Sequence, residues 1–172
     1  MEERLARLEA RLQMFEDERV IHRVVASYGP LVDTGAADDV AALWSLDGVY
    51  DVDGLYMSGR DDIAAMVRSS THQEFIDGGC AHFQGPVHAS IYGDHATAVS
   101  YSLLILHKQN EFEVERATAH HWQFERVESE WKVRKRTSRA LNGDGYARKL
   151  LAAGVKKSAE SETDSEQSTP QP

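Results

Sequence analysis

Eight histidines, one cysteine and 28 carboxylates are the groups in this 172-residue chain that could move a proton or hold a metal. Histidine is the natural acceptor near neutrality, because its ordinary pKa is about 6.5. His82 opens a long strand-like stretch, and Asp33 sits in turn chemistry, Asp33-Thr34-Gly35. A carboxylate bonded to one imidazole nitrogen fixes the tautomer, and it stabilises the imidazolium formed when the other nitrogen takes a proton. Taken singly, Asp33 also reads as a helix cap or an Asx turn, and His82 as a satisfied core histidine. The remaining groups are weaker candidates. His120 and His121 are adjacent, and adjacent strand residues face opposite sides, so they make a poor metal pair. His88 and His95 fall at or near a turn. Trp122 and Trp131 read as core. The Arg/Lys run over 134–139 reads as a solvated strand face with one member turned inward. Nothing in this set requires a metal or an organic cofactor.

These side chains must be carried by definable elements. Leu5, Leu8, Leu12 and Phe15 recur at steps of three, four and three, so residues 2 to about 28 read as helix. That stripe is coiled-coil-like over about two heptads, and it fits either a dimer seam or packing on the chain's own body. Gly29-Pro30 should break or kink the helix, since proline has no N–H for the ladder. Asp38 is placed to cap a second helix bearing Val40, Leu43 and Trp44. A hairpin follows over 49–57, turning near Asp53-Gly54, then a short amphipathic helix from Asp61 to Ser69, with a second short helix or loop over 72–79. Strands are expected at about 81–92, 96–108, 112–126 and 130–140, with hairpin breaks at Gly93-Asp94, Gln109-Asn110 and Glu128-Ser129. Residues 144–153 could form a last helix.

The bulk properties narrow the function. The length fits one domain, and 41% apolar residues suffice for a core and an enclosed pocket. A net charge of −9 argues against nucleic acid and against an anionic membrane surface. The lone Cys80 excludes an internal disulfide. With no signal-like N-terminus and no long apolar run, a cytoplasmic location is the expectation. The order of helices, hairpin, helix and four long strands is an α+β pattern. Three parts are expected: a helical extension over 1–18, a domain over 19–153 and a disordered acidic tail over 154–172.

The run from Tyr28 through Asp33 to Trp44, followed by Asp47-Gly48, resembles the opening of SnoaL-like domains in the nuclear transport factor 2-like superfamily. His82 on the first long strand and Trp131-Lys132-Val133 on the last extend the resemblance over about 15–142. It implies a cone-shaped barrel, a strongly bent, mixed and mainly antiparallel sheet wrapped around N-terminal helices. The nearest types are scytalone dehydratase, a bile-acid dehydratase and hexachlorocyclohexane dehydrochlorinase, which pair an Asp with a His at the positions of Asp33 and His82. By the same resemblance Tyr28 or His107 would serve the leaving group, and Arg136 or Arg139 would stabilise negative charge. Two polar positions of scytalone dehydratase fall on Ala117 and Ala119, so its substrate does not carry over. The implied function is a cofactor-free dehydratase-type lyase or an isomerase acting on a small apolar or polycyclic substrate. A non-catalytic binding or dimerisation domain and a polyketide cyclase are the alternatives. A homodimer or homotrimer is implied as well.

Overall fold

The computed structural model describes the backbone of residues 1–166 and the side chains of residues 1–155. Five helices and six strands follow in the order α1 (Glu2–Asp33), α2 (Ala37–Ala42), β1 (Trp44–Val52), β2 (Leu55–Ser58), α3 (Arg60–Arg68), α4 (Ser70–Gly78), β3 (Cys80–Tyr92), β4 (His95–Lys108), β5 (Glu111–Val127), β6 (Glu130–Ala140) and α5 (Gly145–Glu166). The strands form one sheet in the order β2-β1-β6-β5-β4-β3. All neighbours are antiparallel except β1 and β6, which run parallel. The expected mixed α+β cone is present, but the sheet curls without closing, and β2 and β3 remain edges. Register shifts at Gln84/Val87, Leu104/Ile105 and Gln123/Phe124 help the curl, because an extra residue on one strand bends it and increases its twist.

The hairpin breaks fall where the sequence places them. Asp53-Gly54, Gln109-Asn110 and Glu128-Ser129 all have positive φ at both residues, the turn geometry that matches strand twist. Helix α1 runs past its expected break and ends at Asp33 with Pro30 inside it. Proline costs the helix one N–H, but its φ suits a helix, and the turn is then closed by Thr34, whose backbone N–H and hydroxyl both donate to the Pro30 carbonyl at 3.2 and 2.8 Å. Asp38 does not cap α2. Ala36 takes that position, and Asp38 lies in the first turn, paired with Arg68 at 2.6 Å.

Gly29 decides how close α1 comes to the sheet. A Cβ there would lie 2.3 Å from the His82 carbonyl oxygen, so only glycine admits this contact between helix and β3. The core lies between the α1–α3 layer and the inner face of the sheet, with Ile21, Val25, Val32, Trp44, Ile63, Phe124 and Val133 buried. Helix α5 covers the outer face, where Gly154 packs against Val99. It therefore extends beyond the boundary expected at 153, and the side chains after 155 and all of 167–172, with the tail expectation that falls on them, lie outside the described residues. No described helix is long and apolar enough to cross a membrane.

Candidate active site

Helix α1 ends where β3 begins, and this meeting brings Asp33 to His82. The His82 ring Nδ1 lies 2.5 Å from Asp33 Oδ1, and the His82 backbone N–H donates to Oδ2 at 2.8 Å. The Cys80 thiol donates to Oδ1 at 3.4 Å. Burial works to raise the Asp33 pKa, but the hydrogen bonds and charge of His82 outweigh it, and the group is held below its usual 3.8. Asp33, Cys80 and His82 place ligand atoms within 4.8 Å of one another, close enough to suggest a metal. The hydrogen bonds within this set are those of a thiol and an imidazole on one carboxylate. Burial and the Asp33 carboxylate push the Cys80 thiol up to about 11, so it holds its proton and donates it to the carboxylate.

Beside His82 is a cavity of about 160 Å³, lined in part by Tyr28, Tyr50, Met57, Met66, Leu104, His120 and Arg136. A larger open cleft of about 540 Å³ lies between α1 and the β5–β6 turn, walled by Glu16, Arg19, Arg23 and Arg126 among others. Size favours that cleft, but the chemistry favours the inner cavity, which holds His82 and a set of converging polar groups.

Register explains how the strands build that wall. Trp122 pairs with Arg136, Arg136 with Tyr50, and Tyr50 with Met57, one row across four strands. The next row joins Ser100, His120, Ser138 and Val52. With side chains alternating along each strand, Ser102 and Leu104 on β4, Arg116, Thr118 and His120 on β5, and Arg136 and Ser138 on β6 share the inner face.

Arg136 is 1% exposed and lacks a carboxylate partner among the described residues. Its guanidinium carbon sits 4.0 Å from the Tyr28 ring centroid, 4.2 Å from Trp122 and 4.7 Å from Tyr50. Its Nη2 lies 3.3 Å from both nitrogens of His120, each already engaged by a serine, Ser138 and Ser102, at 2.7 Å. Its Nε and Nη1 have no hydrogen-bond partner. A buried cation without a counter-ion costs several kcal/mol, and ring faces offset about 2 kcal/mol of this. Burial, then Arg136, Arg116 and His82, drive the His120 pKa well below 6.5, so its ring is neutral. Tyr28 is driven upward by burial and by Tyr50, and keeps its phenolic proton.

Of the six residues singled out from sequence, Asp33, His82, Tyr28 and Arg136 meet here. Tyr28 arrives through His82, whose ring lies edge-on at 6.3 Å. His107 does not join them. Leu104 and Leu106 point inward, so alternation turns His107 out, where it is exposed against Phe112 at 5.1 Å. Arg139 also lies on the opposite face from Arg136 and Ser138; it pairs with Asp51 at 2.7 Å and donates to the Asp51 carbonyl. The same alternation turns Ala117 and Ala119 away and gives the cavity Thr118 and His120.

Sequence reasoning missed His72, His120, Tyr50 and the two serines. His72, on α4, stacks 5.5 Å from the His82 ring and bonds the Val32 carbonyl at 3.0 Å. Burial lowers its pKa. No spacing announces it. The strand set was not readable either: counting from the Gln109-Asn110 and Glu128-Ser129 turns puts His121 on the face of Ser102, Arg136 and Ser138, and the register shifts at Leu104/Ile105 and Gln123/Phe124 bring His120 there instead.

A family model described as SnoaL-like domain matches residues 13–137. Among solved structures, an NTF2-like protein with a cystatin-like fold from Novosphingobium aromaticivorans is 38% identical, with a TM-score of 0.84 over 86% of this chain and 96% of that one. A protein of that organism, provisionally named a scytalone dehydratase, is 20% identical with a TM-score of 0.61 over 73% of this chain and 85% of its own. A Catenulispora acidiphila protein in complex with S-DNPA is 16% identical with a TM-score of 0.64 over 73% and 93%. The last two show a shared fold. No curated protein matches in sequence.

Proposed function

This chain belongs to the SnoaL-like domain family, and we propose that it is an acid–base lyase or isomerase that removes a proton from carbon beside a carbonyl. The observation that carries this reading is the 2.5 Å Asp33–His82 contact at the wall of a cavity that also holds an uncompensated guanidinium. Asp33 holds the proton on Nδ1, leaving Nε2 of His82 as the base. As the C–H bond breaks, its electron pair moves toward the carbonyl, and the developing oxyanion is stabilised by the charge of the Arg136 guanidinium at the cavity wall. In an isomerisation the imidazolium returns its proton to a different carbon. In a dehydration the electron pair forms C=C, the C–O bond breaks, and the same proton leaves with the hydroxide as water.

The cavity size narrows the substrate. A cavity of about 150 Å³ holds a benzene ring, and about 160 Å³ is available here. The portion that reacts is therefore a single ring or its equivalent, and the remainder of a larger substrate would lie at the open mouth.

Hydrogen–deuterium exchange tests the proton step without knowledge of the product. A panel of single-ring ketones and β-hydroxy ketones is incubated with enzyme in heavy water and followed by NMR. The expected result is exchange at the carbon beside the carbonyl, abolished in His82→Ala, with loss of water marking a lyase. Ligand-induced shifts in the protein spectrum without any exchange would replace this reading with a binding domain.

A further inference from the structure

Every residue from 1 to 16 of α1 is exposed, and the helix first becomes buried at Asp17. This stretch nevertheless carries Leu5, Leu8, Leu12 and Phe15 on one line, at 56, 53, 58 and 62% exposure. This stretch propagates from the buried half of a 32-residue helix, so nucleation is already met, but its leucines stay in water. Its apolar line therefore needs a cover.

The chain's own body does not supply it. The residues α1 buries are Asp17, Ile21, Val25, Tyr28, Gly29 and Val32. At about 100° per residue, their mean direction lies roughly 150° around the helix from the Leu5–Phe15 line. The line faces away from the domain and is open to a partner that would not collide with the sheet.

The charges beside the line identify that partner. With Leu5 and Leu12 at heptad a and Leu8 and Phe15 at d, the g positions are Arg4 and Arg11 and the e positions are Glu2, Glu9 and Glu16. Two parallel copies in register bring g of one against the following e of the other. Arg4 then meets Glu9 and Arg11 meets Glu16, twice over by symmetry. An antiparallel pair would set arginine against arginine and glutamate against glutamate. We propose that residues 1–16 form a parallel, in-register two-helix coil with a second copy of this chain, holding two domains side by side.

The test uses the full chain and light scattering with size exclusion. Wild type is expected to rise with concentration toward twice the 19.2 kDa of one chain. Arg4→Glu with Arg11→Glu, and separately Glu9→Arg with Glu16→Arg, should each lower that mass, and an equimolar mixture of the two variants should restore it. Leu5→Cys should form an interchain disulfide under mild oxidation, with wild type, which has only Cys80, as the control. Because the altered residues are exposed, the domain's thermal transition should stay unchanged. A single-chain mass for wild type up to millimolar concentration would overturn the proposal, as would a mass indifferent to both charge sets. Dissociation by charge reversal without cross-linking of Leu5→Cys would overturn the parallel register. A different protein captured through this line while the chain itself stays single would replace the second copy as the occupant.

Discussion

The Asp33–His82 pair and Arg136 divide the work at the residue scale, and they make opposite demands on stability. The Asp33–His82 contact stabilises the fold and the base together. Asp33 is held below 3.8, so its contribution is present above that value and lost as pH falls through the lowered one. Asp33→Asn keeps the shape but presents the wrong partner to Nδ1, and proton exchange should fall by up to about 10⁴-fold, as expected when a carboxylate no longer fixes the tautomer. Arg136 is the reverse case. Its charge is buried, stacked and unanswered, so Arg136→Met should raise stability, on the order of 1–4 kcal/mol by analogy with buried charges replaced by apolar groups. The same variant should lose turnover and anion affinity. Thermal unfolding and exchange rates, measured side by side, check both signs.

Helix α1 against β3 is the decisive contact at the element scale, and Gly29 sets its distance. Gly29→Ala must move the helix or the His82 carbonyl, since 2.3 Å admits no methyl group. Overpacking of this kind costs about 1–3 kcal/mol, and exchange should fall further than stability alone explains. Gly78→Ala, where nothing lies within 4 Å, is the control and should change neither. These elements also show what the sequence makes legible. Turn-like breaks such as Gln109-Asn110 and Glu128-Ser129 marked the hairpins, and the strand-like stretches between them fell within a residue or two of the long strands. The end of α1 was misjudged because Pro30 forbids only one hydrogen bond, and Gly29 reads as a breaker until the strand it touches is known. Asp33 and His82 were found through family resemblance rather than through any local signal. His107 and Arg139 were misplaced because spacing along a strand does not say which face a residue takes. His72 reaches the site only through tertiary packing of α4.

For the whole molecule, the buried histidines set an acid limit well above that of the carboxylates. His72 and His120 both have pKa values lowered from 6.5, chiefly by burial, so the unfolded chain takes up protons there before the folded one does. Stability from these two groups is complete above 6.5 and drains away as pH falls through their lowered values. The melting temperature should therefore decline as pH falls below about 6.5, and His72→Gln should flatten part of that slope. Calorimetry across this range decides it. The aromatic cage has a further use that needs no known substrate. Trp122 lies 4.2 Å from the Arg136 guanidinium, whereas Trp131 is tied to Asp17 at 2.9 Å and has Arg126 above its ring. The emission of an indole responds to the charge over its face. An anion drawn to Arg136 should shift the Trp122 emission over the background of Trp44 and Trp131, and Trp122→Phe should remove most of the response. The site thus carries its own optical reporter, by which candidate ligands can be titrated before any reaction has been identified.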